Sequence, residues 1–465
     1  MKSHPRLLDG EEASEVVAVA RAIRAAGGRA LLVGGTVRDR LLGRGESKDW
    51  DIEVYGLSIA RLEETLRTFG EVIAIGRAFG VLRVKGLEID FSIPRRDSKV
   101  GRGHRGFLVE LDPTLSFEEA SRRRDLTINS MGYDPLTCEI LDPHGGRDDL
   151  ATGILRATDA RHFAEDSLRG LRVAQFLARF AMRVDPELHT LCAGLDLSDL
   201  PGERIFDELR KLLLQARRPS PGFEFLRETG LLRFFPELEA MVGCPQDPEW
   251  HPEGTVWEHT MLVLDEAAAL RTGEDDLVLM FAALLHDVGK PPTTVRVEGR
   301  IRSPQHDDEG VPIARAFLGR LRAPNDLIDK VAMLVRTHLA PANLAKGDVT
   351  PKAYRRLARK LGAVGLGARC LHRVARADHL GRTTPDALER RFEAGDEFLA
   401  RIEALEIAEE GTPDVVRGRH LLARGYEPGP WFGDVLAACR DVQDETGWDD
   451  PDRILDRVLA ERGGR

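Results

Sequence analysis

Basic residues are in the minority here: 67 lysines and arginines stand against 77 aspartates and glutamates in 465 residues, a formal net charge of −10. This excludes a protein that coats nucleic acid through bulk charge. It leaves local RNA contacts open, because those depend on where the basic groups lie. Cysteine is also scarce. Cys138, Cys192, Cys244, Cys370 and Cys439 are far apart and form no Cys-x-x-Cys pair, which argues against a disulfide framework or a zinc ribbon and for reduced thiols. No apolar run reaches membrane-spanning length and no signal-peptide pattern opens the chain, so a cytoplasmic location without a membrane partner is expected. Internal repeats and low-complexity runs are missing too. What remains is a chain long enough for two to four domains with ample core.

The most informative stretch is LLVGGTVRDRLLGRGESKDWDIEVYG, residues 31–56. Leu31 to Val33 read as a buried strand that breaks at Gly34 and Gly35. Arg38 to Leu42 read as a short helix and Trp50 to Tyr55 as the next strand. Residues two apart on a strand point to one side, so Asp49 and Asp51 project together. Two carboxylates on one side repel unless a cation sits between them, and Mg²⁺ takes oxygen ligands. The glycines let backbone approach an anion. Either feature alone is usually a plain turn or a solvated strand end; their fixed order is more restrictive.

Further along, residues 12–27 read as an amphipathic helix, and short strands and helices alternate to about residue 160, as in an α+β head. Beyond it the chain is mostly helical, divided by Pro186, Pro201, Pro219, Pro221 and Pro236. The expected domains are a head at 1–160, a helical neck and body at 161–243, a second helical domain at 244–395 and a helical tail at 396–465. In PKAYRRLARKLG, Lys352, Arg355, Arg356, Arg359 and Lys360 share one helix face. That face is open to two readings, an ordinary solvated helix or an RNA phosphate contact.

The 31–56 stretch resembles the head signature of class II tRNA nucleotidyltransferases (CCA-adding enzymes) and bacterial poly(A) polymerases. IDFSIPRRDSKVGRGHRGF (89–107) resembles the strand and flexible loop of that head, RRRDLTINSMGYDP (122–135) its Arg-Arg-Asp motif, and FAEDSLRGLRVAQFLARF (163–180) the motif that selects the incoming base. The resemblance implies template-independent addition or repair of the tRNA 3′-terminal CCA from CTP and ATP, with two metals about 3.5–4 Å apart. Asp49 and Asp51 would hold Mg²⁺, and Asp90, on a strand from Leu87 to Ile93, would be the third carboxylate. Gly34, Gly35, Arg38 and Arg124 would meet the triphosphate, with Arg122 and Arg123 flanking. Asp166, Arg169 and Arg172 recur every third residue and are expected on one helix ridge. The resemblance gives Asp166 and Arg169 the choice of base, since cytosine and adenine both offer an amino donor beside a ring-nitrogen acceptor. Related enzymes often carry an arginine where Gln175 stands, so the nucleotide contact there loses its charge.

LVLMFAALLHDVGKPPTT (277–294) places His286 and Asp287 at the end of an apolar helix and resembles the HD phosphohydrolase superfamily. The resemblance implies a divalent-metal site (Mg²⁺, Mn²⁺ or Ni²⁺) of His259, His286, Asp287 and Asp378. His306, His338 and Lys290 would form a second site, with Lys290 a phosphate contact; His251 belongs to the pattern without a role. Phosphatase or cyclic phosphodiesterase activity would follow. The nearest alternatives are a poly(A) polymerase or a partial enzyme adding only CC or only A. A more distant one is an HD phosphohydrolase with an inactive transferase head, and a third is a non-catalytic RNA-binding protein.

Overall fold

The computed structural model describes residues 7–8, 11–44, 50–76, 80–99, 107–346, 349–409 and 413–462. The chain divides into two compact units, one of residues 1–208 and 224–234 and another of 209–223 and 235–465. The expected neck and body, 161–243, is therefore shared between them. Residues 224–234 return to the first unit, where Leu231 packs on Gly170 and Phe225 meets His189 edge-on.

The first unit is α+β, as expected. Its strands are β1 (Arg29–Val33), β2 (Trp50–Tyr55), β3 (Val72–Gly76), β4 (Val81–Val84), β5 (Ile89–Ser92), β6 (Arg95–Lys99), β7 (Phe107–Leu111), β8 (Gly132–Tyr133), β9 (Ile140–Leu141) and a separate short parallel pair, β10 (Ile154–Leu155) with β11 (Arg183–Val184). Seven of them form one mixed sheet in the order β3-β4-β5-β2-β1-β8-β9, and β6 pairs with β7 separately. Only β2 and β5 run parallel within the seven-stranded sheet. Alternation sorts the side chains. Leu31, Val33 and Tyr55 pack with Leu115, Phe117 and Ala120 on one face. The helix Glu11–Ala25 lies against β1 and buries Val16, Val19, Ala20 and Ile23, a stripe at helical spacing. Each of the valines and the isoleucine contributes about 1.5–3 kcal/mol by leaving water.

The second unit is helical apart from a short hairpin, Val295–Val297 with Arg300–Arg302. Its centre is the helix Asp276–Leu285, in which every residue from Val278 to Leu285 is buried. A helix apolar all round must be enclosed; Val256–Ala269, Asn325–Thr337 and Ala368–Leu380 pack around it. The tail has its own apolar cluster, including Val435, Cys439, Ile454 and Leu455. No described helix is long and apolar enough to cross a membrane.

Candidate active sites

In the first unit the chain leaves β1 at Gly34 with φ +76 and ψ −142, a backbone conformation open only to glycine. The helix Gly35–Leu41 follows. A Cβ on Gly34 would lie 3.4 Å from an Arg124 guanidinium nitrogen and 3.7 Å from Asp51 Oδ2. The glycine turn, one carboxylate of the Asp-Trp-Asp and one arginine of the Arg-Arg-Asp motif thus meet. Asp51 is exposed at the start of β2. Asp49 lies outside the described residues, so its pairing with Asp51 stays an expectation.

Asp51 and Asp90 are in register across the parallel β2–β5 pair, which puts them on one face of the sheet. Both Asp90 oxygens are engaged by Arg83 on β4, at 2.6 and 2.8 Å. Asp90 is therefore a cross-strand ion-pair partner here, not a free third carboxylate. Arg38 differs from expectation as well. It is 4% exposed, donates to Asp39 and Asn129, and lies over the Phe176 and Phe180 rings. The enclosed cation still lies at the turn, 3.3 Å from where a Cβ on Gly35 would be, while Arg124, half-buried, stands beside Gly34.

Glu53 was not picked out from the sequence, although it follows Asp51 by two residues on the same strand. It is fully buried, lies 3.2 Å from Arg123 and 3.5 Å from Arg124, and accepts from the Tyr55 hydroxyl. Burial alone would raise its carboxyl, but the Arg124 and Arg123 charges bring it below the usual range. It holds Arg124 at the turn.

The base-selecting segment departs from one helical ridge. The helix begins at Leu168, and Asp166 precedes it, accepting from the Leu168 amide at 3.2 Å and from Arg204 at 2.9 Å. A short acid just before a helix satisfies a free first-turn amide there more readily than inside it. Arg169 donates to the carbonyls of His162 and Arg123. Arg172 donates to buried Asp125 at 2.7 Å. Burial would raise Asp125, yet Arg172 holds it at about 2. Gln175 is buried.

In the second unit, five helices converge on one cluster. His259 comes from Val256–Ala269, His286 and Asp287 follow Asp276–Leu285, His306 opens His306–Arg320, and Asp378 lies in Ala368–Leu380. His338 caps Asn325–Thr337. All six are buried. The close approach depends on Gly289: a Cβ there would be 2.0 Å from the His306 carbonyl.

The ring nitrogens reveal what the cluster can hold. His286, His306 and His338 place Nδ1 against the carbonyls of Ala283, Ser303 and Val335, at 2.9, 2.8 and 2.6 Å. A carbonyl only accepts, so each Nδ1 donates, and in the neutral ring Nε2 is the atom that carries the lone pair. The Nε2 atoms of His306 and His338 face each other at 3.4 Å, and both approach Asp287 Oδ1, at 3.4 and 3.9 Å. His286 Nε2 is buried without a hydrogen-bond partner, 3.2 Å from Asp287 Oδ2 and 4.0 Å from Asp378 Oδ1. His259 Nε2 lies 3.1 Å from Asp378 Oδ1. Facing lone pairs of this kind call for a cation. They divide into two donor groups, His259–His286–Asp378 and Asp287–His306–His338, and imidazole with carboxylate suits divalent metals.

The electrostatics tie the acids to the imidazoles: burial would lower His286, but the Asp287 charge raises it. Burial would raise Asp287, but His286 and Lys290 keep it well below the usual carboxylate range. Burial pushes the His338 imidazole down to about 4, so it stays a neutral donor. Lys290 lines the cavity, lies 2.6 Å from Asp287 Oδ2 and donates to Gln246. Glu253, also missed from the sequence, is buried and accepts from Nδ1 of His259 at 2.7 Å and of His251 at 2.9 Å. It orients His259, and His251 gains a place as Glu253's second partner. The cluster opens into a cavity of about 380 Å³.

The basic face at 351–362 is largely occupied. Arg356 pairs with Asp441 at 2.6 Å, Arg359 with Asp444 at 2.6 Å, and Arg355 donates to the Asp444 carbonyl. These arginines fasten the helix Trp431–Thr446; Lys360 is exposed and Lys352 half-buried.

Comparison with known proteins matches residues 30–156 to the poly A polymerase head domain, 190–242 to the probable RNA and SrmB-binding site of polymerase A, and 256–380 to the HD domain. The multifunctional CCA protein of Xanthomonas campestris pv. campestris is 35% identical over 423 residues, 88% of this chain and 96% of its own. That of Alkalilimnicola ehrlichii is 39% identical over 318 residues, 66% of this chain and 73% of its own. Among solved structures, the Bacillus stearothermophilus CCA-adding enzyme in complex with CTP superposes with a TM-score of 0.61 at 20% identity, covering 98% of this chain and 99% of that one. The Thermotoga maritima CCA-adding enzyme complexed with tRNA gives 0.59 at 18%, covering 98% and 96%. At such identities these two speak for the fold.

Proposed function

Because this chain belongs to the multifunctional CCA protein family, we propose that it builds and repairs the 3′-terminal CCA of tRNA from CTP and ATP, and that its second unit hydrolyses phosphoesters. The observation that carries the first activity is the meeting of Gly34, Asp51 and Arg124. In this reading the Gly34–Gly35 turn lets the triphosphate approach the backbone, and Arg124, held by Glu53, balances phosphate charge. Asp49 and Asp51 would hold Mg²⁺, which supplies activation of the attacking 3′-hydroxyl and neutralisation of the leaving pyrophosphate. Asp166 accepts from the amino group shared by cytosine and adenine while Arg169 donates to the ring nitrogen. A guanine or uracil carbonyl would leave that carboxylate unpaired, a strong ground for rejection. Arg204 and the two carbonyls keep these side chains in place until a base replaces them.

In the second unit His259, His286, Asp287 and Asp378 would hold one divalent metal, and Asp287, His306 and His338 another. Metal there supplies a nucleophilic water at neutral pH. Glu253 fixes the His259 ring, and Lys290 restrains Asp287. Such an activity clears blocked RNA 3′ ends before nucleotides are added, and both act in the cytoplasm.

tRNA transcripts lacking CCA, CC or A, incubated with each nucleotide, test the first activity. Stepwise completion to CCA supports it. Unlimited A addition to an unstructured RNA would make the chain a poly(A) polymerase, and restriction to one step a partial enzyme.

A further inference from the structure

The cavity over the histidine cluster has a feature that metal binding does not explain. Its floor carries Asp287, His306 and His338, its lining includes Lys346 and Arg382, and Trp250 stands in its wall. Trp250 is 55% exposed. A tryptophan normally buries most of its large surface, and among the described residues this ring stacks on no other ring or cation. Its backbone amide donates to the Asp247 carbonyl, which fixes the residue at the cavity.

Acids, imidazoles, cations and an open aromatic ring in one lining are the groups that a phosphoester with a flat group attached would meet, although Arg382 already lies 3.6 Å from Asp378. A cavity near 380 Å³ accepts one small ligand and not a folded RNA. Bases stack on aromatic side chains whatever their identity. Resting on the phosphohydrolase reading, we propose that Trp250 is a stacking platform for the terminal base of a nucleoside 2′,3′-cyclic phosphate, so that this site selects RNA 3′ ends over generic phosphate esters. The hydrolysis adds water across the cyclic ester. A bond forms from the water oxygen to phosphorus, one ribose oxygen–phosphorus bond breaks, and the departing ribose oxygen takes up a proton.

The test compares 2′,3′-cyclic AMP with abasic ribose 2′,3′-cyclic phosphate, which keeps the ester and lacks the base, using the full chain supplied with Mn²⁺ or Ni²⁺. The native chain should show a KM about tenfold lower for the base-bearing ester, in keeping with the strength of base–aromatic stacking. Trp250→Ala should erase that preference and Trp250→Phe should keep most of it. CCA addition by the same preparations reports that each variant is folded. Independently of turnover, 2′,3′-cyclic AMP should quench tryptophan emission in the native chain by an increment missing from Trp250→Phe. A preference that survives Trp250→Ala, or its absence from the native chain, overturns the platform while leaving hydrolysis intact. Hydrolysis of neither ester would instead remove the phosphohydrolase reading, and the platform with it.

Discussion

The two units solve the problem of holding charge in opposite ways. In the second, the donors are assembled in advance at a cavity: six buried side chains from five helices, with three imidazoles oriented by backbone carbonyls and a fourth by Glu253. In the first, the acids lie at strand ends near the surface, and the polar side chains around them are already engaged with one another. Asp90 is held by Arg83, Asp166 by Arg204, and Arg169 by two carbonyls. The contrast fits the tasks proposed for them. A hydrolytic metal site gains from a rigid, oriented donor set. A site that must accept two different nucleotides in turn gains from side chains whose partners a base can replace.

That comparison can be broken at its supports. Glu53 and Glu253 each orient a residue at one site, but Glu53 also neutralises two arginines. Glu53→Gln should cost about 3–5 kcal/mol of stability, because it leaves those charges without their buried partner, and should raise the KM for CTP and ATP; urea unfolding and steady-state kinetics check both. Glu253→Gln should lower metal affinity about 10–100-fold through the His259 ring, measured by competition with a chelating dye, while tRNA end addition is unchanged.

A smaller effect sharpens the electrostatics of the first unit. Asp125 titrates at about 2 in the fold against 3.8 when free. A depressed carboxylate contributes stability that is full above the unfolded value and disappears as pH falls from about 4 to about 2. The contribution is about 2 kcal/mol, and Asp125→Asn should flatten the acid limb of the stability profile by that amount. At the lower end, Arg356→Ala removes a half-exposed pair with Asp441. It should cost under about 1 kcal/mol and leave tRNA affinity unchanged in a filter-binding titration; a clear loss of affinity would restore the helix 351–362 as an RNA contact.

Local pattern made much of this readable. The break after Val33, the strand bearing Asp51 and the adjacent His286 and Asp287 come from short-range signals, namely glycine pairs, alternation of two and an apolar helix ending in His-Asp; His259 and Asp378 come from the family resemblance. What escaped depends on partners remote in the chain. Nothing near Arg359 announces Asp444, nothing near Asp166 announces Arg204, and Glu253 reads as a loop residue until His259 turns toward it. Glu53 is the exception. Alternation already placed it on the face of Asp51, and a buried acid there implied arginines to neutralise it.

The independence of the two sites is the claim most open to direct test, by assaying Asp51→Ala and Asp287→Asn for both activities on single preparations. Asp51→Ala should lose CCA addition by at least about a thousandfold and keep cyclic phosphate hydrolysis, and Asp287→Asn should do the reverse. Loss of both activities in either folded variant would contradict the account.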